Sequence, residues 1–186
     1  MDDKFQYRLS KKQKAEIAQN LIDILQKDSE ITEQTRIFID EFLGSGPDDN
    51  KKAFFDVWDI VLKNYLPTTR PILFRACNRL SKNGKITCFT GQLESARNLR
   101  KCRGSLIIIC DTKETLQFEE QDCQPSEYKH TFYPLVSVLE KAKASGGYGF
   151  SKRTMDRMYG YIGEDEYIMR IDLDNMYGLG WRKNDL

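Results

Sequence analysis

Apolar residues recur at helical spacing through the first third of the chain. Between Ser10 and Lys27, the set Ile17, Ala18, Leu21, Ile22, Ile24 and Leu25 follows a helical repeat, which predicts an amphipathic helix. Ser29 stands where an N-cap would open a second helix, with Ile37, Phe38, Phe42 and Leu43 as its apolar face. Gly44-Ser45-Gly46-Pro47 should break it. Asp48 or Asp49 can cap a third helix bearing Phe54, Phe55, Val57, Trp58, Ile60, Val61 and Leu62, and Pro67 should end that one.

Beyond Pro67 the pattern shortens. Ile72 to Ala76, Lys85 to Phe89 and Ser105 to Cys110 are brief runs rich in apolar and β-branched residues, set between Gly, Asn and Pro, and they read as strands. Leu106-Ile107-Ile108-Ile109-Cys110 is apolar throughout, as in a strand covered on both faces. Glu94 to Cys102 suits a short helix, and Pro134 to about Ala144 another. A glycine-rich stretch, Ser145-Gly146-Gly147-Tyr148-Gly149, follows as a flexible segment, and two last strands are expected at Tyr167 to Leu173 and Met176 to Trp181. The expected class is α+β in one compact domain: a helical N-terminal lead-in over 1–66, packed on a mixed, strand-dominated core over 67–186.

Composition narrows the classes open to such a chain. With 186 residues, 40% of them hydrophobic and 31% charged, it can bury a core and is not of disordered type. The net charge of +1 supplies no global field for nucleic acid or membrane, although Arg97, Arg100, Lys101 and Arg103 form a local basic cluster. Met1-Asp2-Asp3-Lys4 lacks the apolar core of a secretory signal, and no apolar run is long enough to span a bilayer. A cytoplasmic location without membrane insertion is therefore expected, in the producing cell or in a host cell if delivered. Five cysteines (Cys77, Cys88, Cys102, Cys110, Cys123) without a CxxC pair, and one histidine, His130, argue against both a disulfide framework and a metal site.

Three segments carry candidate chemistry. In Pro71-Ile72-Leu73-Phe74-Arg75-Ala76 an arginine closes an apolar strand, where it needs an anion or a place at the rim. Lys85-Ile86-Thr87-Cys88-Phe89-Thr90-Gly91 ends a strand in a hydroxyl residue, which either caps the next helix or fixes a neighbouring carboxylate. In Tyr159-Gly160-Tyr161-Ile162-Gly163-Glu164-Asp165-Glu166, three acids stand where a glycine-rich loop should meet an apolar strand. Strand alternation would put Glu164 and Glu166 on one face roughly 7 Å apart, close enough to raise the pKa of one of them. Each segment alone also has a plain structural explanation: a rim arginine, a helix cap and a solvated acidic turn.

In this order the three segments resemble the arginine–serine–glutamate class of mono-ADP-ribosyltransferases, over roughly residues 68 to 182. Phe74-Arg75 matches the aromatic–Arg of the first strand. Cys88-Phe89-Thr90 falls at the Ser-Thr-Ser triplet, ahead of Glu94-Ser95-Ala96-Arg97, and only Thr90 keeps a hydroxyl there. Gly104-Ser105-Leu106-Ile107-Ile108-Ile109 matches the next strand, and Glu164-Asp165-Glu166 the ExE element. The helical lead-in looks most like phage-encoded and bacterial effector or toxin members. The resemblance implies a core of two small sheets and NAD as substrate, with no metal. It implies that Arg75, Phe74, Cys88, Phe89, Thr90 and Glu166 line the NAD site, with Arg75 on the phosphates and Thr90 orienting Glu166, the residue that stabilises charge on the ribose. Glu164, Tyr159 and Tyr161 would meet the acceptor, which for an ExE pattern is expected to be arginine on a protein. Two alternatives stay open: the same chemistry on RNA or DNA, and a catalytically silent module that binds a partner such as an antitoxin or inhibitor.

Overall fold

The computed structural model describes residues 8–44, 52–77, 83–103, 106–124, 127–129, 131–147 and 149–180. Ser45 to Asp49, Gly104, Ser105, His130, Tyr148 and Trp181 lie outside the described residues, as do the side chains of Arg100, Lys101, Cys102 and Arg103. The helices are α1 (Lys11–Gln26), α2 (Glu33–Gly44), α3 (Lys52–Asn64), α4 (Leu93–Arg103), α5 (Thr112–Asp122), α6 (Leu135–Ala144) and α7 (Lys152–Gly163). The strands are β1 (Ile72–Cys77), β2 (Ile86–Thr90), β3 (Leu106–Asp111), β4 (Phe132–Tyr133), β5 (Glu166–Arg170) and β6 (Tyr177–Gly180). The fold is mixed α+β, and no described helix is long and apolar enough to cross a membrane.

Two compact units form, and their division is not contiguous. One comprises Met1–Val61 with Ser137–Ile162, the other Leu62–Val136 with Gly163–Leu186. Residues 137–162 thus group with the N-terminal helices, not with the rest of 67–186. Hydrogen bonds inside the helical unit give the reason. The Ser151 amide donates to Asp40 Oδ1 at 3.0 Å, the Arg157 guanidinium to the Leu43 carbonyl, and Lys141 Nζ to Asp28 Oδ1 at 2.7 Å.

Within that unit α1 starts as its sequence predicts. Ser10 and Gln13 form a reciprocal capping box, at 3.2 Å for the Gln13 amide and 2.9 Å for the Ser10 amide. Ser29 does not cap α2. Its amide donates instead to Asp23 O at 3.3 Å, after Asp28 turns the chain at φ 54. Thr32 takes the capping place and accepts the Thr35 amide at 3.3 Å. Phe38 and Phe42 are stacked on each other and each meets Phe54 and Trp58 edge to face, the Phe38–Trp58 centroids lying 5.4 Å apart. The stretch 145–147 is a turn that closes α6, with the Gly147 amide donating to Ala142 O at 3.0 Å. The segment from Tyr159 to Gly163 corrects a second expectation: it is the end of α7, not a loop. Thr154 and Met158, one turn apart, are its buried side chains.

The other unit is built on one sheet, in the order β4-β5-β2-β1-β3-β6 and antiparallel throughout. A single six-stranded sheet therefore replaces the two small sheets expected. The join at its middle is narrow. β1 meets β3 along all of 72–77 and β2 meets β5 along all of 86–90, but the only β1–β2 register pair is Phe74↔Thr90. Leu73, Phe89, Ile108, Cys110, Leu116, Phe132, Met169 and Ile171 form the core of this unit. β5 stops at Arg170, short of the expected Leu173, because Asp172 caps a one-turn helix, Leu173–Asn175.

Candidate functional site

The narrow join gathers most of the predicted site. Past Phe74↔Thr90 the β1–β2 ladder is not continued, so the Cys88 carbonyl needs another donor. Arg75 supplies it: Nη1 donates to Cys88 O at 2.6 Å. The guanidinium is half-buried, and its charge acts on both Cys88 and Glu166.

Glu166 begins β5 directly across from Thr90. Alternation along β2 then puts Cys88, two residues before Thr90, on the same face as this carboxylate. Glu166 is 6% exposed. Burial is the main cause that pushes its pKa from 4.5 up to about 7; a hydrogen bond from the Cys88 thiol and the Arg75 charge pull it down, and Glu164 and Asp165 push it up. The Cys88 thiol is itself raised well above its ordinary value, chiefly by burial and then by Glu166. A carboxylate with a pKa near neutrality, beside a fixed cation, suits the stabilising of developing positive charge or the moving of a proton.

Glu164 and Glu166 do not share a face by strand alternation. Asp165 adopts φ 50 and the strand starts only at Glu166, so Glu164 sits in the turn after α7. The two carboxylates are nevertheless close enough for Glu164 to raise the pKa of Glu166.

The triplet residues divide their roles differently from expectation. The Thr90 hydroxyl donates to the Glu164 carbonyl and accepts from the Gln92 amide at 3.0 Å, so it ties the turn and does not bond to the Glu166 carboxylate itself. That contact comes from Cys88. Phe89 points away, 2% exposed in the core with Phe132 and Met169, because successive strand residues face opposite sides. Phe74 is half-buried across from Thr90. Tyr159 and Tyr161 belong to the helical unit, on α7; Tyr159 is exposed, with Lys143 Nζ 4.7 Å from its ring centroid.

Gly91 and Tyr167 take part in the site without belonging to any of its motifs. Gly91 leaves β2, donates its amide to Asp165 O at 2.9 Å, and packs so closely that a Cβ would collide with the Asp165 carboxylate. Asp165 itself is held by Tyr167, whose hydroxyl is driven up to about 12 by burial and by this carboxylate. A glycine directly after a strand was the available signal for Gly91. Among the described residues, no group of three or more His, Cys, Asp or Glu side chains could hold a metal ion. In comparisons with protein-family models, curated proteins and solved structures, nothing matches this chain.

Proposed function

We propose that the chain is an NAD-dependent mono-ADP-ribosyltransferase of effector or toxin type, releasing nicotinamide and passing ADP-ribose to an arginine on a target protein. One observation carries the reading. A buried carboxylate, Glu166, lies within the field of the Arg75 guanidinium at the narrow β1–β2 join, with Glu164 beside it. The motif order that resembles this enzyme class supports the same conclusion.

The side chains suit a dinucleotide in kind: an always-charged fork for phosphate oxygens and a carboxylate for a ribose hydroxyl. NAD supplies a nicotinamide–ribose bond whose breaking develops positive charge on the ribose. Glu166, ionised, accepts a hydrogen bond from the ribose and opposes that charge, an interaction strengthened by its burial. Arg75 holds the phosphates. Glu164, half-buried at the turn, receives the incoming guanidinium.

Incubation with labelled NAD and a cell lysate tests the reading. Label removed by protease supports protein transfer. Label removed by nuclease instead supports transfer to RNA or DNA, the reading favoured by the cluster Arg97, Arg100, Lys101 and Arg103. Glu166→Gln should abolish nicotinamide release while leaving the protein folded. Absence of both label and nicotinamide release from the wild-type protein would sink the proposal and favour a silent module that binds an antitoxin or other partner.

A further inference from the structure

The turn that presents the two carboxylates is bolted to the end of β2 by one side-chain and one main-chain hydrogen bond to its carbonyls. The Thr90 hydroxyl donates to the Glu164 carbonyl, and the Gly91 amide donates to the Asp165 carbonyl at 2.9 Å. The Gln92 amide donates to Thr90 Oγ1 at 3.0 Å, and of the hydroxyl's two acceptors the Glu164 carbonyl lies closer than the Gln92 carbonyl, at 3.5 Å. Thr90 is 3% exposed, so water does not replace these bonds readily. Asp165, between the two carboxylates, adopts the left-handed conformation at φ 50, which a non-glycine residue keeps only where its surroundings enforce it. Gly91 is part of that enforcement, because the Asp165 carboxylate occupies the space a Cβ would need.

We infer that Thr90 and Gly91 are positioning residues that hold the Glu164–Asp165–Glu166 turn in its left-handed form and so fix Glu166 at the β1–β2 join. This rests on the transferase reading for its kinetic consequence, though not for its structural one. The charged and titratable groups facing Glu166 are Arg75, Cys88, Glu164 and Asp165. The clamp sets the distance of Glu166 from each of them, as well as its burial. Loosening the turn should let water reach the carboxylate and return its titration toward the ordinary range.

The test is a pair of readouts on Thr90→Val, Thr90→Ser and Gly91→Ala in the full chain. Carboxyl NMR of glutamate-labelled protein, with the Glu166 signal assigned by its loss in Glu166→Gln, reports the titration midpoint without NAD. Wild type and Thr90→Ser should titrate near 7. Thr90→Val and Gly91→Ala should titrate clearly lower. In nicotinamide release, Thr90→Val should lower kcat about tenfold with KM less affected, the scale of one lost buried hydrogen bond, and Thr90→Ser should restore it. Should Thr90→Val fail to fold, Gly91→Ala carries the same two readouts. A folded Thr90→Val with an unchanged midpoint overturns the inference, as does a Thr90→Ser that falls as far as the valine. Wild-type protein without nicotinamide release, but with the midpoints ordered as expected, would overturn the transferase reading and leave the clamp standing.

Discussion

Glu166 combines two properties that ordinarily exclude each other, a nearly complete burial and an ionisable carboxyl. Its folded-state pKa of about 7 lies above the 4.5 it would have in an unfolded chain. Below pH 4.5 both states hold the proton, and the residue contributes nothing to pH dependence. From there to about pH 7 the folded state keeps a proton that the unfolded state has lost, so stability falls as pH rises, and it levels off above. The penalty at pH 8 is of the order of 3 kcal/mol, by the usual conversion of pKa to free energy. Glu166→Gln keeps the shape and deletes the charge. Its melting temperature, relative to wild type, should therefore climb by several degrees between pH 5 and pH 8. Thermal melts at the two pH values measure this, and a constant offset would mean that Glu166 is not buried as a carboxyl. That Arg75 and Glu166 meet was legible in the order of their motifs along the chain. The Cys88 thiol as the partner of Glu166 was not. Only the antiparallel register decides which triplet residue faces the carboxylate, and register is a long-range property.

Elements were legible in proportion to their amphipathicity. α1 and α3 carry apolar faces with clear helical spacing, and β3 is an unbroken apolar run, so all three were expected close to where they form. α5 was missed: Thr112, Leu116 and Glu119 are its buried residues, and the last of these is charged. Lys129 donates its amide to Glu119 at 2.7 Å, a satisfied buried carboxylate that no periodicity count detects. The start of α5 depends on a cap. Asp111 ends β3 and accepts the amides of Lys113 at 3.0 Å and Glu114 at 3.3 Å. Asp111→Ala should cost about 1 kcal/mol of stability, with Asp111→Asn close to wild type. Urea unfolding checks this, and an alanine variant equal to wild type would show that the cap contributes nothing. α7 was hidden for another reason. Gly160 and Gly163 lower its helix propensity and read as loop, while burial of Thr154 and Met158 holds the helix nonetheless.

At the scale of the whole molecule, the class α+β was readable from the order of patterns, but the partition of the chain was not. A boundary near 66 suits the change from helical to strand spacing, yet residues 137–162 belong with the first three helices. The ties responsible, Ser151 to Asp40, Arg157 to the Leu43 carbonyl and Lys141 to Asp28, join polar groups more than a hundred positions apart, and neither local spacing nor composition encodes such pairs. This has a consequence for dissection. A fragment of residues 67–186 would keep α6 and α7 but lose α1 to α3, stripping Asp28, Asp40 and the Leu43 carbonyl from their partners. Val138, Leu139, Ala142 and Met158, each at most 1% exposed in the intact chain, would lose the rest of the helical unit. Four such side chains facing water would each forfeit roughly 1–3 kcal/mol of burial, comparable in sum to the whole stability of a domain. The fragment should therefore elute as an aggregate or an expanded species and unfold in urea without a sigmoidal transition. A monomeric fragment with a sharp transition near that of the full chain would show instead that 67–186 folds alone, and that the helices grouped with 1–61 do not need it.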